Sequence, residues 1–210
     1  ALGIKIKLLV RNDKLLSNED EDISKVFKEE FSKKIDIAFN TSIKDAKYEN
    51  ESFNIVLENK NKEISNHTCE ALLYAIGRES NAKDLELENT SIQIDDRGFI
   101  KRDKFFETNA EDVYVVGDAA GEYMLQHTAA YEMNYLYKLL YEEEKKALKF
   151  KYIPHAVFTD PEIASVGMME REAKEKGINY VVSKTDWLAS AKAQGTKLEY
   201  PFTKLIINRD

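Results

Sequence analysis

Residues 113–127 read VYVVGDAAGEYMLQH. Four strand-forming residues, Val113 to Val116, run into Gly117-Asp118, then a turn of small residues, then a segment that begins like a helix. A glycine directly after a buried strand lets the chain turn tightly and lets a ligand approach the backbone. In open α/β sheets ligands lie beyond the carboxyl ends of the strands, and a carboxylate there, Asp118, accepts hydrogen bonds from sugar or polyol hydroxyls. The helix expected from about Leu125 to Lys146, with an apolar stripe at Ala129, Met133, Leu136 and Leu140, would bring unsatisfied N–H groups to the same place. Those of the Met124, Leu125, Gln126 and His127 stretch suit an electron-rich carbonyl or an anion. A strand-end acid facing a helix start can hold a long polar cofactor. Gly-Asp is also a common turn pair, so an ordinary capped turn is the competing reading.

The same design recurs upstream. The apolar run ALLYAIG at 71–77 reads as a buried strand, and Gly77-Arg78 follows it as Gly117-Asp118 follows the other. Gly77 could admit a dinucleotide backbone with Arg78 as its cationic partner; taken alone, Arg78 reads equally as a solvated strand-end arginine. Arg11 ends the first expected strand, Ile4–Val10. In dinucleotide folds an acid at that position binds the ribose 2′-hydroxyl and an arginine suits a 2′-phosphate. Lys14 adds to the positive charge there, although Asp13 lies between them.

Around these points the chain alternates helices and strands. Ser17 is the expected N-cap of an acidic-to-basic helix over 18–34, with Ile23, Val26, Phe27 and Phe31 on one face. Short strands are expected at Ile35–Phe39, Ile43–Tyr48 and Phe53–Leu57, with the charged stretch 58–63 as a hairpin turn. After a polar stretch with a DDRG turn, the region beyond Tyr152 reads as strands in PHAVFT, EIASVG, INYVVSKTD and FTKLIIN. A helix stopped by Gly177 lies among them.

Composition narrows the function. A net charge of −7 with no basic block argues against nucleic acid, and no apolar run is long enough to span a membrane. One cysteine, Cys69, permits no internal disulfide and fits a reducing, cytoplasmic compartment. No His/Cys/Asp cluster has metal-ligand spacing. The chain starts on Ala1 almost inside a strand and ends on one, so a piece of a longer polypeptide is expected.

Taken in order, the three sites resemble the class I pyridine nucleotide–disulfide oxidoreductases, among them dihydrolipoamide dehydrogenase and the glutathione, mycothione and mercuric reductases. AIGRESN resembles the family's A-x-G-R-x-P-N segment, with Ser80 at the proline position. TNAEDVYVVGDAAG, from Thr108, resembles its T-x4-(hydrophobic)-Y/F-A-x-G-D segment, and IPHAVFTDPEIASVGMMEREA resembles the entry to its dimerisation domain. The resemblance covers essentially the whole chain. It implies an α/β fold: partial Rossmann-like NAD(P)-binding and FAD-binding domains followed by part of an α+β dimerisation domain. The implied boundaries are 1–83 for the NAD(P) domain, lacking its first strand and Gly-rich turn, 84–150 for the returning FAD segment, and 151–210 for the dimerisation segment. Asp118 would bind the ribityl hydroxyls of FAD, and the helix start at Met124, Leu125, Gln126 and His127 would face the flavin pyrimidine edge.

Within the family the signals diverge. MLQH resembles dihydrolipoamide dehydrogenase, whereas Arg11 resembles the glutathione and mycothione reductases, with Ser17 where a second arginine usually binds the 2′-phosphate. The family's redox Cys-x4-Cys pair and its C-terminal His-Pro…Glu pair do not occur in these residues; His67, His127 and His155 are followed by Thr, Thr and Ala. No residue of the chain is therefore expected to be catalytic. The expected whole is a homodimeric FAD- and NAD(P)-dependent reductase of a lipoyl or small-molecule disulfide, most like dihydrolipoamide dehydrogenase, with a mycothione/glutathione reductase-like or mercuric reductase-like flavoenzyme as the alternative; this chain alone is expected to be inactive. The competing reading of a different class is a non-catalytic nucleotide-binding or dimerisation module.

Overall fold

The run at 4–10 pairs over only three residues. In the computed structural model, which describes residues 3–142, 146–197 and 201–209, β1 is Lys7–Leu9, parallel to β2, Asp36–Ala38, with Leu8 opposite Ile37. Between them runs helix α1, Glu21–Phe31. Its N-cap is Asp20 rather than Ser17: the Asp20 carboxylate accepts from the Asp22 N–H, while Ser17 lies in the turn closed by the Glu19 N–H on the Leu16 carbonyl. Phe27 faces inward as expected and stacks on Phe31 at 4.9 Å between ring centroids. With Leu15 and Ile163, Phe27 forms a core that Leu8, Ile23, Ile37 and Val157 close.

An antiparallel sheet follows, of β3 (Thr41–Glu49), β4 (Ser52–Asn59) and β5 (Ile64–Cys69) in that order. The β3–β4 hairpin turns at Asn50-Glu51, both with positive φ, the twist that matches paired strands. The 58–63 stretch is a hairpin turn as expected, with the Asn59 side chain accepting from the N–H groups of Asn61 and Glu63. The strand expected at 71–77 is absent, and β5, just upstream, takes the edge of β4 instead. Ladder bonds are main-chain bonds, so polar Ser65, Asn66 and His67 pair as readily as an apolar run would. Leu73 and Ile76 are 88% and 81% exposed.

Toward the C-terminus the expected elements appear. They are β6 (His155–Val157) beside β7 (Ile163–Ser165), a helix at Glu170–Glu175 with Gly177 just past its end, and the antiparallel hairpin of β8 (Tyr180–Asp186) and β9 (Phe202–Asn208). A short helix at Ala191–Thr196, capped by Ser190, was not anticipated. The chain packs as two compact units, one of residues up to Leu73 together with those from Ala156 onward, the other of Tyr74–His155.

The 74–155 unit carries the opening stretch. Its small core is Ala82, Ile100 and Val115. The strand expected at 113–116 reduces to one bridge, Tyr114 with Glu107, although Val115 is buried. Two 3₁₀ turns, Asn81–Leu85 and Leu87–Asn89, precede the DDRG turn, where Asp95 accepts from Arg97 and Phe99. The long helix is Gln126–Tyr141, shorter than expected: Glu142 caps it and Lys146 is not helical, while 143–145 lie outside the described residues. Its buried face is Thr128, Glu132 and Tyr135, one residue out of phase with the expected stripe, and Met133 and Leu140 face solvent. The phase slips because the centre of the buried face is a carboxylate, which hydropathy assigns to the outside.

Candidate functional site

The chain leaves Val116 into a 3₁₀ turn, Gly117–Ala120, with Gly117 at φ +65°, where only glycine sits without strain. A Cβ on Gly117 would lie 3.0 Å from that of Ala129, so the turn lies close against the long helix. Gly121 ends it at φ +70°, with the Phe99 ring against its Cα. Asp118 points outward, its side chain 56% exposed. Arg78 meets it: Nη1 donates to the Asp118 carboxylate at 3.0 Å and Nη2 to the Met124 carbonyl at 2.9 Å. The second and first sequence sites are thus one site, with Gly77 adjacent.

At the helix start, Leu125 occupies the cap position without a capping side chain, and the first turn carries no acid. The positive end of the helix thus has no capping side chain or first-turn acid, an arrangement that can take an anion or a carbonyl. Gln126 and His127 are exposed, and the His127 ring bonds the Pro154 carbonyl at 2.7 Å. One position on, the Thr128 hydroxyl is buried and has no partner among the described residues. An open carboxylate, an uncapped helix start and an orphaned hydroxyl fit a polar cofactor with hydroxyls and ring carbonyls.

Sequence reading missed Arg102 and Glu132. Glu132 is 2% exposed. Its Oε1 accepts from Arg102 Nη2 at 2.7 Å and its Oε2 from Nη1 at 3.0 Å and from the Gly117 N–H at 2.6 Å. Arg102 also donates to Glu122 at 2.8 Å and to the Val115 carbonyl at 3.1 Å, and its guanidinium lies 4.1 Å from the Phe106 ring centroid. Burial alone would lower the Arg102 pKa, but its hydrogen bonds to Glu132 and Glu122 outweigh it and hold the group above its ordinary value. The available signal was the spacing of Thr128, Glu132 and Tyr135, a helical face with an acid in its middle.

Arg11 belongs to the other compact unit, exposed just beyond β1. Lys14 faces Glu21 at 3.4 Å, so Arg11 is the freer cation of the pair. Cys69 is a free, half-buried thiol at the end of β5. Among the described residues no group of His, Cys, Asp and Glu could hold a metal ion, and no helix is long and apolar enough to cross a membrane.

Comparison with known proteins names the family. Residues 1–132 match the model of the pyridine nucleotide-disulphide oxidoreductases, and residues 153–210 match the dimerisation domain of the same family. The chain belongs to that family. Curated relatives of the chain include the dihydrolipoyl dehydrogenases of Vibrio cholerae, 32% identical, and of Buchnera aphidicola, 33% identical. Each match covers 100% of this chain and 44% of the relative. The chain thus spans less than half the length of these relatives. The HOCl-induced flavoprotein disulfide reductase RclA of Escherichia coli, as its Cu(II) complex, superposes with a TM-score of 0.86 at 24% identity over 99% of this chain and 46% of that one. LpdA of Mycobacterium tuberculosis superposes at 0.87 and 21% identity, over 100% and 45%. At those identities the likeness establishes the fold, that of flavoprotein disulfide reductases. The family works with FAD and NAD(P)H, and the donors and acceptors around Asp118 suit the first of these.

Proposed function

We propose that the protein works as a FAD-dependent NAD(P)H:disulfide oxidoreductase, most like dihydrolipoyl dehydrogenase. The observation that carries this reading is Arg78 bridging the solvent-exposed Asp118 carboxylate and the Met124 carbonyl beside an uncapped helix start at Gln126, in a chain of this family. Bound FAD would supply electron transfer between nicotinamide and disulfide. The chain's own part is binding and orientation. Asp118 would accept from the ribityl hydroxyls, the N–H groups around Gln126 and His127 would suit the flavin pyrimidine edge, and Thr128 would offer a buried hydroxyl beside them. Gly77 leaves room for a dinucleotide backbone beside Arg78. Residues 1–83, 84–150 and 151–210 serve as NAD(P), FAD and dimerisation segments of a cytoplasmic homodimer.

A second reading, a glutathione- or mycothione-type reductase, is favoured by Arg11, whose cation suits the 2′-phosphate of NADP. The deciding experiment uses the purified full-length protein. A flavin absorption band, a dimer in sedimentation and NAD-linked oxidation of dihydrolipoamide are expected. NADPH-linked reduction of glutathione or mycothiol disulfide instead would select the second reading. A colourless protein would overturn both and leave a non-catalytic module.

A further inference from the structure

We propose that the buried Arg102–Glu132 pair is a cofactor-positioning device, which grips the backbone on both sides of Val116 and so sets where Asp118 stands. The inference rests on the reading of Asp118 as a FAD ligand.

Glu132 Oε2 takes the Gly117 N–H, and Arg102 Nη1 gives to the Val115 carbonyl. In a regular strand such groups bond to a neighbouring strand. Here the ladder has shrunk to the Tyr114 bridge, and Gly117, at φ +65°, has left extended conformation. A buried peptide group without a partner is strongly disfavoured, so the side-chain pair stands in for the missing strand. Stability alone does not explain it, because a buried ion pair is often matched or bettered by apolar residues of similar volume. An apolar pair could not, however, hold the 115 carbonyl and the 117 N–H. The bidentate fork, with Oε1 on Nη2 and Oε2 on Nη1, fixes the angle as well as the distance.

The grip also joins both arms of the site. Glu132 projects from the helix whose uncapped first turn is one arm, and Gly117-Asp118 is the other. Gly117 also lies against Ala129, so the turn that carries the carboxylate is packed directly on the same helix. Neither Arg102 nor Glu132 is a catalytic residue.

The test compares Glu132→Gln, Arg102→Lys, Asp118→Asn and the E132Q/D118N double variant in the full-length protein. Each apoprotein is titrated with FAD by flavin fluorescence, and its unfolding midpoint is measured separately. Glu132→Gln is nearly isosteric and keeps an oxygen for Gly117. Arg102→Lys keeps the charge and loses the fork, and it carries the same measurements where Glu132→Gln does not fold. The expected result is a loss of FAD affinity of roughly tenfold or more, as for residues that support ligating groups elsewhere. The double variant should bind about as weakly as the weaker single one, because both act through one carboxylate. Unchanged FAD affinity in a folded variant, or losses that multiply in the double variant, would mean that the pair is merely structural and overturn the proposal. Unchanged affinity in Asp118→Asn would instead remove the reading of Asp118 on which the proposal stands.

Discussion

Asp118 stays open to solvent at the end of an apolar run, and Arg78 reaches it from forty residues earlier in the chain. Both side chains are more than half exposed. Such a pair contributes under about 1 kcal/mol to stability, since water screens it and two long side chains lose freedom. Arg78→Ala should therefore leave the urea midpoint almost unchanged while freeing the Met124 carbonyl; a large drop would mean that the pair holds the fold. Arg11 makes the contrasting prediction. Arg11→Glu should raise the Michaelis constant of the full-length protein for NADPH far more than for NADH, and equal effects would remove its 2′-phosphate role. Asp118, Arg78 and the helix start were legible because a glycine after an apolar run advertises a strand end. Arg102 and Glu132 were not. Their chemistry depends on a partner thirty residues away, and each alone reads as a solvated charge.

At the scale of elements, the helix Gln126–Tyr141 is defined by its buried face. The Tyr135 hydroxyl donates to the Lys146 carbonyl at 2.6 Å, and its ring meets Phe106 edge-on at 5.1 Å. Tyr135→Ala should cost about 3 kcal/mol, in the range for deleting a buried aromatic ring, as measured by chemical unfolding. A cost near zero would contradict this helix phase. Gly121→Ala forces a Cβ into the Phe99 ring at a positive φ. Left-handed strain and overpacking add to a loss of about 2–4 kcal/mol; a neutral result would mean that the turn relaxes freely. Elements whose apolar pattern coincides with their pairing, such as β8 with β9, were readable from the sequence. The helix phase was not, because a buried acid inverts the hydropathy signal. Nor was β5, because edge pairing uses the main chain, and the more apolar run beside it remains unpaired among the described residues.

At the scale of the whole molecule, one buried lysine ties together segments from opposite ends of the chain. Lys204 on β9 contacts Asp20 at 2.9 Å and Asp22 at 2.9 Å, at the start of α1, and Glu170 at 2.5 Å, the first residue of the helix Glu170–Glu175. Burial would lower the Lys204 pKa, but hydrogen bonds to Glu170, Asp20 and Asp22 overcome it and lift it well above 10.5. Asp22 moves the other way: its hydrogen bond to Lys204 outweighs burial and holds it below 3.8. The signs then set the pH window. Stability from the depressed Asp22 is complete above pH 3.8 and is lost as pH falls through its lower folded value. Stability from the raised Lys204 is complete below pH 10.5 and is lost only as pH climbs toward its higher folded value. Lys204→Met should therefore cost on the order of 1–3 kcal/mol near neutral pH, because it removes the buried cation shared by Asp20, Asp22 and Glu170, although Asp22 keeps Lys184 at 3.6 Å. The gap between wild type and variant should narrow as Asp22 is protonated below pH 3.8. Thermal unfolding midpoints of both proteins across that range decide the matter. A gap that stays constant into acid would mean that Lys204 acts through its methylene packing, and that the ends of the chain are joined by apolar contact rather than by charge.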